Sequence, residues 1–197
     1  MLKTDLDLYY HTGDYFQDED KHPVIQGKTF TKDDTFYIVF SASHGFWDYL
    51  INFMFPKYPV EYNSRCTAHI GYVYRYNDLH ERLLTRYIMS QCSKLHIVGY
   101  SMGASVALLC AYHFSKITYP TVTCFEPLAI CNRKLKNYLE ENAHIEYTRY
   151  GNDAVVKLLF WNKHVGTEHH FGPPTKWWKF SAKDHPLENI RTALQTL

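Results

Sequence analysis

Gly99, Ser101 and Gly103 form a G-x-S-x-G pentapeptide inside Leu95-His96-Ile97-Val98-Gly99-Tyr100-Ser101-Met102-Gly103-Ala104-Ser105. Taken alone, such a pentapeptide is an ordinary tight turn with an incidental serine. Between a buried strand and an apolar helix it is a candidate nucleophile held up at a sharp bend. Both flanking elements are readable here. Residues 95–98 are a short apolar run, and 104–114 (ASVALLCAYHF) is apolar nearly throughout. Glycines two before and two after the serine let the backbones of strand and helix pass closely on a strained turn. Ala104, Ser105 and Ala107 are small enough for tight packing on a sheet. The helix start then points free N–H groups and its positive dipole end at a reacting oxygen. The Met102 N–H is the expected oxyanion donor.

A serine hydroxyl is a weak nucleophile without a base. In enzymes built on this turn the chain order is serine, then an acid, then histidine. The chain has 12 histidines, so position must select among them. His185 follows a loop holding Gly172, Pro173 and Pro174 and precedes a terminal helical pattern, so it could swing back over the turn. Asp153, in Tyr150-Gly151-Asn152-Asp153, lies just past an expected strand, and strand carboxyl ends are where open α/β sheets place their chemistry. Glu126, after another expected strand, is a rival acid. Asp184 is a weaker one, because side chains of adjacent residues diverge. His164, His169 and His170 read as structural or surface residues.

The elements that must position these residues alternate along the chain. Strands are expected at 35–40 (TFYIVF), 95–98, 121–125 and 144–149, with a fifth within 163–171. Residues 67–74 read as strand or extended loop. Helices are expected at 45–55 (GFWDYLINFMF, stopped by Pro56), from Asn77 through DLHERLLTRYIMSQC, at 104–114, near 132–142 and after Pro186. This alternation predicts a mostly parallel central sheet with helices on both faces. The polar, turn-rich residues 1–30 read as an N-terminal arm or cap on one domain spanning 1–197.

Composition removes several function classes. Lys and Arg number 21 against 20 Asp and Glu, so no basic excess exists to hold a nucleic-acid backbone. The five cysteines are odd in number and contain no C-x-x-C, which indicates neither a disulfide framework nor a zinc ribbon. The charged start, MLKTDLDLYYHTGDYFQDEDKH, lacks the apolar core of a signal peptide, and no run approaches a membrane span. The expectation is a cytoplasmic or otherwise intracellular protein; a virion protein or one exported unconventionally would read the same.

Taken together the segments resemble the fungal-type, class 3 lipase family of the α/β-hydrolase superfamily, over about residues 35–190. The motifs that carry the resemblance are Val39-Phe40-Ser41-Ala42-Ser43, His69-Ile70-Gly71-Tyr72, Gly99-Tyr100-Ser101-Met102-Gly103-Ala104, Phe125-Glu126-Pro127, Gly151-Asn152-Asp153-Ala154-Val155, His164-Val165-Gly166 and Asp184-His185-Pro186-Leu187. Four positions depart from the family pattern. The F-R-G-[ST] motif has become Phe40-Ser41-Ala42-Ser43, Tyr100 replaces the usual His beside the nucleophile, and Ala104 replaces a Gly.

The resemblance implies a compact α/β-hydrolase fold and a lipase acting on acylglycerol or related lipid esters. Ser101 would be the nucleophile, His185 the base and Asp153 the acid, with Ser43 and Met102 forming the oxyanion hole. Residues 44–55 match the family's lid helix, so that Phe46, Trp47, Leu50, Ile51, Phe53 and Met54 would meet substrate and touch a lipid interface transiently. The same stretch also reads as a core helix. The implied chemistry uses no metal or cofactor. Two other readings remain open: a phospholipase A1-type enzyme, and a non-catalytic hydrolase scaffold that binds lipid or protein.

Overall fold

The computed structural model describes residues 2–17, 25–42, 57–153, 162–173 and 181–196. In chain order the elements are α1 (Leu2–Tyr10), β1 (Asp14–Gln17), β2 (Gln26–Lys32), β3 (Thr35–Phe40), β4 (Lys57–Pro59), β5 (Thr67–His69) and α2 (Ile70–Ser90). Then follow β6 (Lys94–Tyr100), α3 (Met102–Phe114), β7 (Thr121–Phe125), α4 (Arg133–Asn142), β8 (His144–Tyr150), β9 (Thr167–Phe171), a 3-10 turn (Ala182–Asp184) and α5 (Leu187–Gln195). One seven-stranded sheet runs β1-β2-β3-β6-β7-β8-β9, and β4 pairs with β5 separately. The pairings from β3 to β9 are parallel; β1 with β2 and β2 with β3 are antiparallel.

Side chains of each strand alternate between two apolar layers, as the period of two demands. Ile38, Phe40, Ile97, Val122 and Cys124 face the larger layer with Leu79 and Leu83 of α2, Val106 and Leu109 of α3, and Leu135 and Leu139 of α4. Val39, Val98 and Phe125 face the other, with Leu6 of α1 and Leu187, Ile190 and Leu194 of α5. Near-continuous apolar strands follow from burial on both sides.

Three expectations differ from the observed elements. The first thirty residues contain a helix and two strands that continue the main sheet, rather than an appended arm. α1 is tied down by Asp5, whose carboxylate accepts from Thr123 Oγ1 of β7 at 2.8 Å. Secondly, strand stops at His69 and helix begins at Ile70, seven residues before Asn77. His69 caps that helix, its Nδ1 accepting the Gly71 N–H at 3.2 Å. Ile70, Tyr72, Val73 and Tyr74 favour strand by propensity, but Tyr72, Val73, Tyr76, Leu79 and Leu83 share a helical face that the core buries. Thirdly, within 163–171 only Thr167–Phe171 is strand. The expected helix at 45–55 lies outside the described residues.

Candidate active site

The carboxyl ends of β6, β7 and β8 bring three residues together: Ser101 one residue past β6, Glu126 one past β7, and Asp153 three past β8. His185 comes from the last loop, between the 3-10 turn and α5.

Ser101 has φ 55° and ψ −118°, outside the relaxed regions for a residue with a Cβ. Its N–H donates to Phe125 O at 2.8 Å, tying the bend to β7. The flanking glycines have a steric reason. A Cβ on Gly99 would sit 2.5 Å from Gly103 O, and one on Gly103 would sit 2.5 Å from Phe40 O. Strand and helix therefore cross at backbone contact. The first α3 hydrogen bond runs from Ser105 N–H to Ser101 O, at 3.2 Å. By helix geometry the N–H of Met102 has no carbonyl partner within α3. Met102 is buried and belongs to the larger apolar layer. Ser43 and the expected lid residues Phe46, Trp47, Leu50, Ile51, Phe53 and Met54 lie outside the described residues.

Ser101 Oγ is 2.8 Å from His185 Nε2, and His185 Nδ1 is 2.6 Å from Asp153 Oδ2. A carboxylate can only accept, so Nδ1 carries the proton and Nε2 is left to accept from the serine hydroxyl. Asp153 is fully buried, and His185 and Ser101 are nearly so. The Asp153 loop is fixed on both sides, by Asp153 N–H to Tyr150 O (3.2 Å) and Ser181 N–H to Asn152 O (3.0 Å). Glu126, the rival acid, is also fully buried, with Oε2 at 3.4 Å from the same Nδ1. Burial, then the charge of Asp153, pushes the Glu126 carboxyl up to about 10. A neutral acid is a poor partner for imidazolium, so Asp153 is the better placed of the two. Glu126, Asp153 and His185 each bring one metal-ligating atom within 4.8 Å of the others, yet two of these atoms are already joined in the His–Asp hydrogen bond.

Two contacts were not evident in the sequence. Tyr100 stacks on the His185 ring, centroids 5.5 Å apart and planes at 26°, and its hydroxyl donates to His185 O at 2.8 Å. Its place beside Ser101, where the family pattern has His, was the one available signal. Asp184 is not aimed at the imidazole. Its Oδ2 accepts the Asn152 N–H at 2.7 Å and so ties the histidine loop to the loop of Asp153. The remaining late histidines are engaged elsewhere: His164 stacks on Tyr147, His169 faces Glu146, and His170 Nε2 lies 3.0 Å from Gly151 O.

Among solved structures, a mono- and diacylglycerol lipase from Aspergillus oryzae superposes with a TM-score of 0.73 at 19% identity, covering 81% of this chain and 63% of that one. A triacylglyceride lipase from Rhizomucor miehei gives 0.70 at 18% identity, covering 79% and 64%. A lipase from Rhizopus microsporus var. chinensis gives 0.68 at 16%, covering 80% and 60%. The chain thus spans less than two thirds of the length of these structures. At such identities the likeness establishes the α/β-hydrolase fold. No curated protein matches the chain in sequence. The family model for Lipase (class 3) matches residues 37–163, which include Ser101 and Asp153. Since that match covers more than half of the sequence, the chain belongs to the class 3 lipase family.

Proposed function

We propose that the protein is a serine carboxylic-ester hydrolase acting on acylglycerols or related lipid esters. One observation carries the reading: Ser101 Oγ, the His185 ring and the Asp153 carboxylate are linked by contacts of 2.8 and 2.6 Å in a class 3 lipase chain. In this mechanism His185 Nε2 takes the Ser101 proton as Oγ attacks the ester carbonyl. The oxyanion that forms accepts from the Met102 N–H, with Ser43 as the second donor that the family pattern assigns. His185 then protonates the leaving alcohol. Water, activated by the same imidazole, hydrolyses the acyl-enzyme and restores Ser101. Asp153 fixes the tautomer and stabilises the imidazolium throughout. The apolar residues 46–55 are the proposed acyl-chain and lipid contact, and Tyr58 and Tyr62 just after them are exposed.

Ser101→Ala is expected to lower kcat for p-nitrophenyl esters by at least about 10⁴-fold with an unchanged melting temperature. A fluorophosphonate probe should label the native protein and not the variant. Wild-type turnover by folded Ser101→Ala would remove the assignment. Chain-length and head-group profiling then separates acylglycerol from phospholipid substrates.

A further inference from the structure

Glu126 is the buried titratable group that this mechanism leaves unused. Its φ is 50°, a left-handed backbone conformation that costs energy for a glutamate. Its side chain is fully buried; the Tyr150 backbone N–H lies near it, but neither carboxyl oxygen has a well-formed hydrogen bond among the described residues. A carboxyl desolvated with so little compensation is expensive. The groups around it are Asp153, Asp184, the Tyr100 phenol and His185. Of these only His185 can be positive, and Glu126 Oε2 points at its Nδ1 from 3.4 Å, beside the 2.6 Å contact of Asp153. Two carboxyls sharing so small a dry space cannot both ionise.

We propose that Glu126 is a second acid of the site: Asp153 and Glu126 together hold one proton and one negative charge beside His185 Nδ1, and Glu126 takes the charge when Asp153 cannot carry it. The proposal rests on the Ser101–His185 reading above. In the native protein the nearer carboxyl, Asp153, carries the charge and Glu126 the proton. In Asp153→Asn the opposing charge is gone. Glu126 then releases its proton to solvent, and its carboxylate accepts the Nδ1–H, keeping the reactive tautomer. Glu126 touches the base and not the substrate, so it is a positioning residue.

The test is a double-mutant cycle on hydrolysis of a p-nitrophenyl ester, with Glu126→Gln, Asp153→Asn, the double variant and Ser101→Ala. Each fold is checked by circular dichroism. Glu126→Gln is expected to cost under about tenfold in kcat/KM, Asp153→Asn about 10–100-fold, and the double variant about 10⁴-fold, the loss typical of a triad without its acid. A loss of about 10⁴-fold in Asp153→Asn alone, or no further loss in the double variant, overturns the proposal. If Asp153→Asn does not fold, infrared spectroscopy at pH 8 serves instead. The carbonyl band of a protonated carboxylic acid should be present in the native protein and lost in Glu126→Gln; its absence from the native protein overturns the proposal. Ser101→Ala separates the two levels. An inactive Ser101→Ala with an additive cycle removes only the role of Glu126, whereas an active one removes the hydrolase reading itself.

Discussion

Tyr100 holds His185, the proposed base, in two ways, through the face of its ring and through its hydroxyl, and the two can be separated. Tyr100→Phe keeps the stack and loses the hydrogen bond to His185 O. One such bond contributes about 0.5–1.5 kcal/mol, so kcat/KM should fall roughly 2–10-fold. Tyr100→Leu loses the stack as well and should cost about tenfold more. Because Tyr100 contacts the imidazole, the loss should appear in kcat with KM little changed. Glu126 makes a stability prediction of its own. Burial raises its carboxyl from 4.5 in the unfolded chain to about 10 in the fold. A raised acid contributes stability that is complete below the unfolded value and is lost as pH rises towards the folded one. The native protein should therefore lose stability relative to Glu126→Gln between about pH 5 and 9, by up to about 1.4 kcal/mol per pH unit. Denaturant titrations of both proteins across that range check it; a gap independent of pH would show that Glu126 is ionised throughout.

At the scale of elements, the site is built by ends. Parallel strands β6, β7 and β8 stop at one edge of the sheet, and each hands over one residue to the same volume. Ser105, one turn into α3, locks the β7 end to the helix: its Oγ accepts the Leu128 N–H at 3.1 Å. The bend at Ser101 depends on backbone contact between strand and helix. Gly103→Ala places a methyl group against Phe40 O and Ser41 O, both fixed parts of the β3 end. Overpacking of this kind costs about 1–3 kcal/mol, and here it also pushes α3 off the sheet. The expected result is a lower melting temperature together with loss of ester hydrolysis and probe labelling. An alanine variant that kept native activity would show that the elbow has slack.

Across the whole molecule the two layers do different work. The larger one, under α2, α3 and α4, holds most of the buried apolar side chains. The smaller one, under α1 and α5, rests on Leu6, Leu187, Ile190 and Leu194, and α5 starts two residues after His185. Loosening this smaller layer should therefore reach His185. Ile190→Ala is expected to cost about 2–5 kcal/mol of stability, and Leu83→Ala in the larger layer a similar amount. At a temperature where both are folded, only Ile190→Ala should lower kcat/KM. Equal activity in the two variants would show that His185 is held by its own loop contacts alone. Among the described residues no helix is long and apolar enough to cross a membrane.

Local pattern was enough to place the core strands and the turn at Ser101, because a buried strand, two glycines and an apolar helix form a contiguous signal within one stretch of chain. The family resemblance rested on the same property, short motifs in a kept order. Elsewhere the sequence misled where propensity and packing disagree: Ile70, Tyr72 and Val73 look like strand residues and are helical because the core buries one helical face. The polarity of residues 1–30 concealed a helix and two strands, since an edge hairpin needs few apolar residues and Asp5 finds its partners far along the chain, in Thr123 and His96. The resemblance pointed to Asp153 as the acid, but how Asp153 and Glu126 are placed relative to His185 was beyond sequence for the same reason. Both follow a strand, and only the tertiary structure sets one oxygen at 2.6 Å and the other at 3.4 Å from the same nitrogen. Residue types and their order specify which chemistry a chain can attempt; which carboxyl holds the charge depends on distance and burial, and those exist only once the chain has folded.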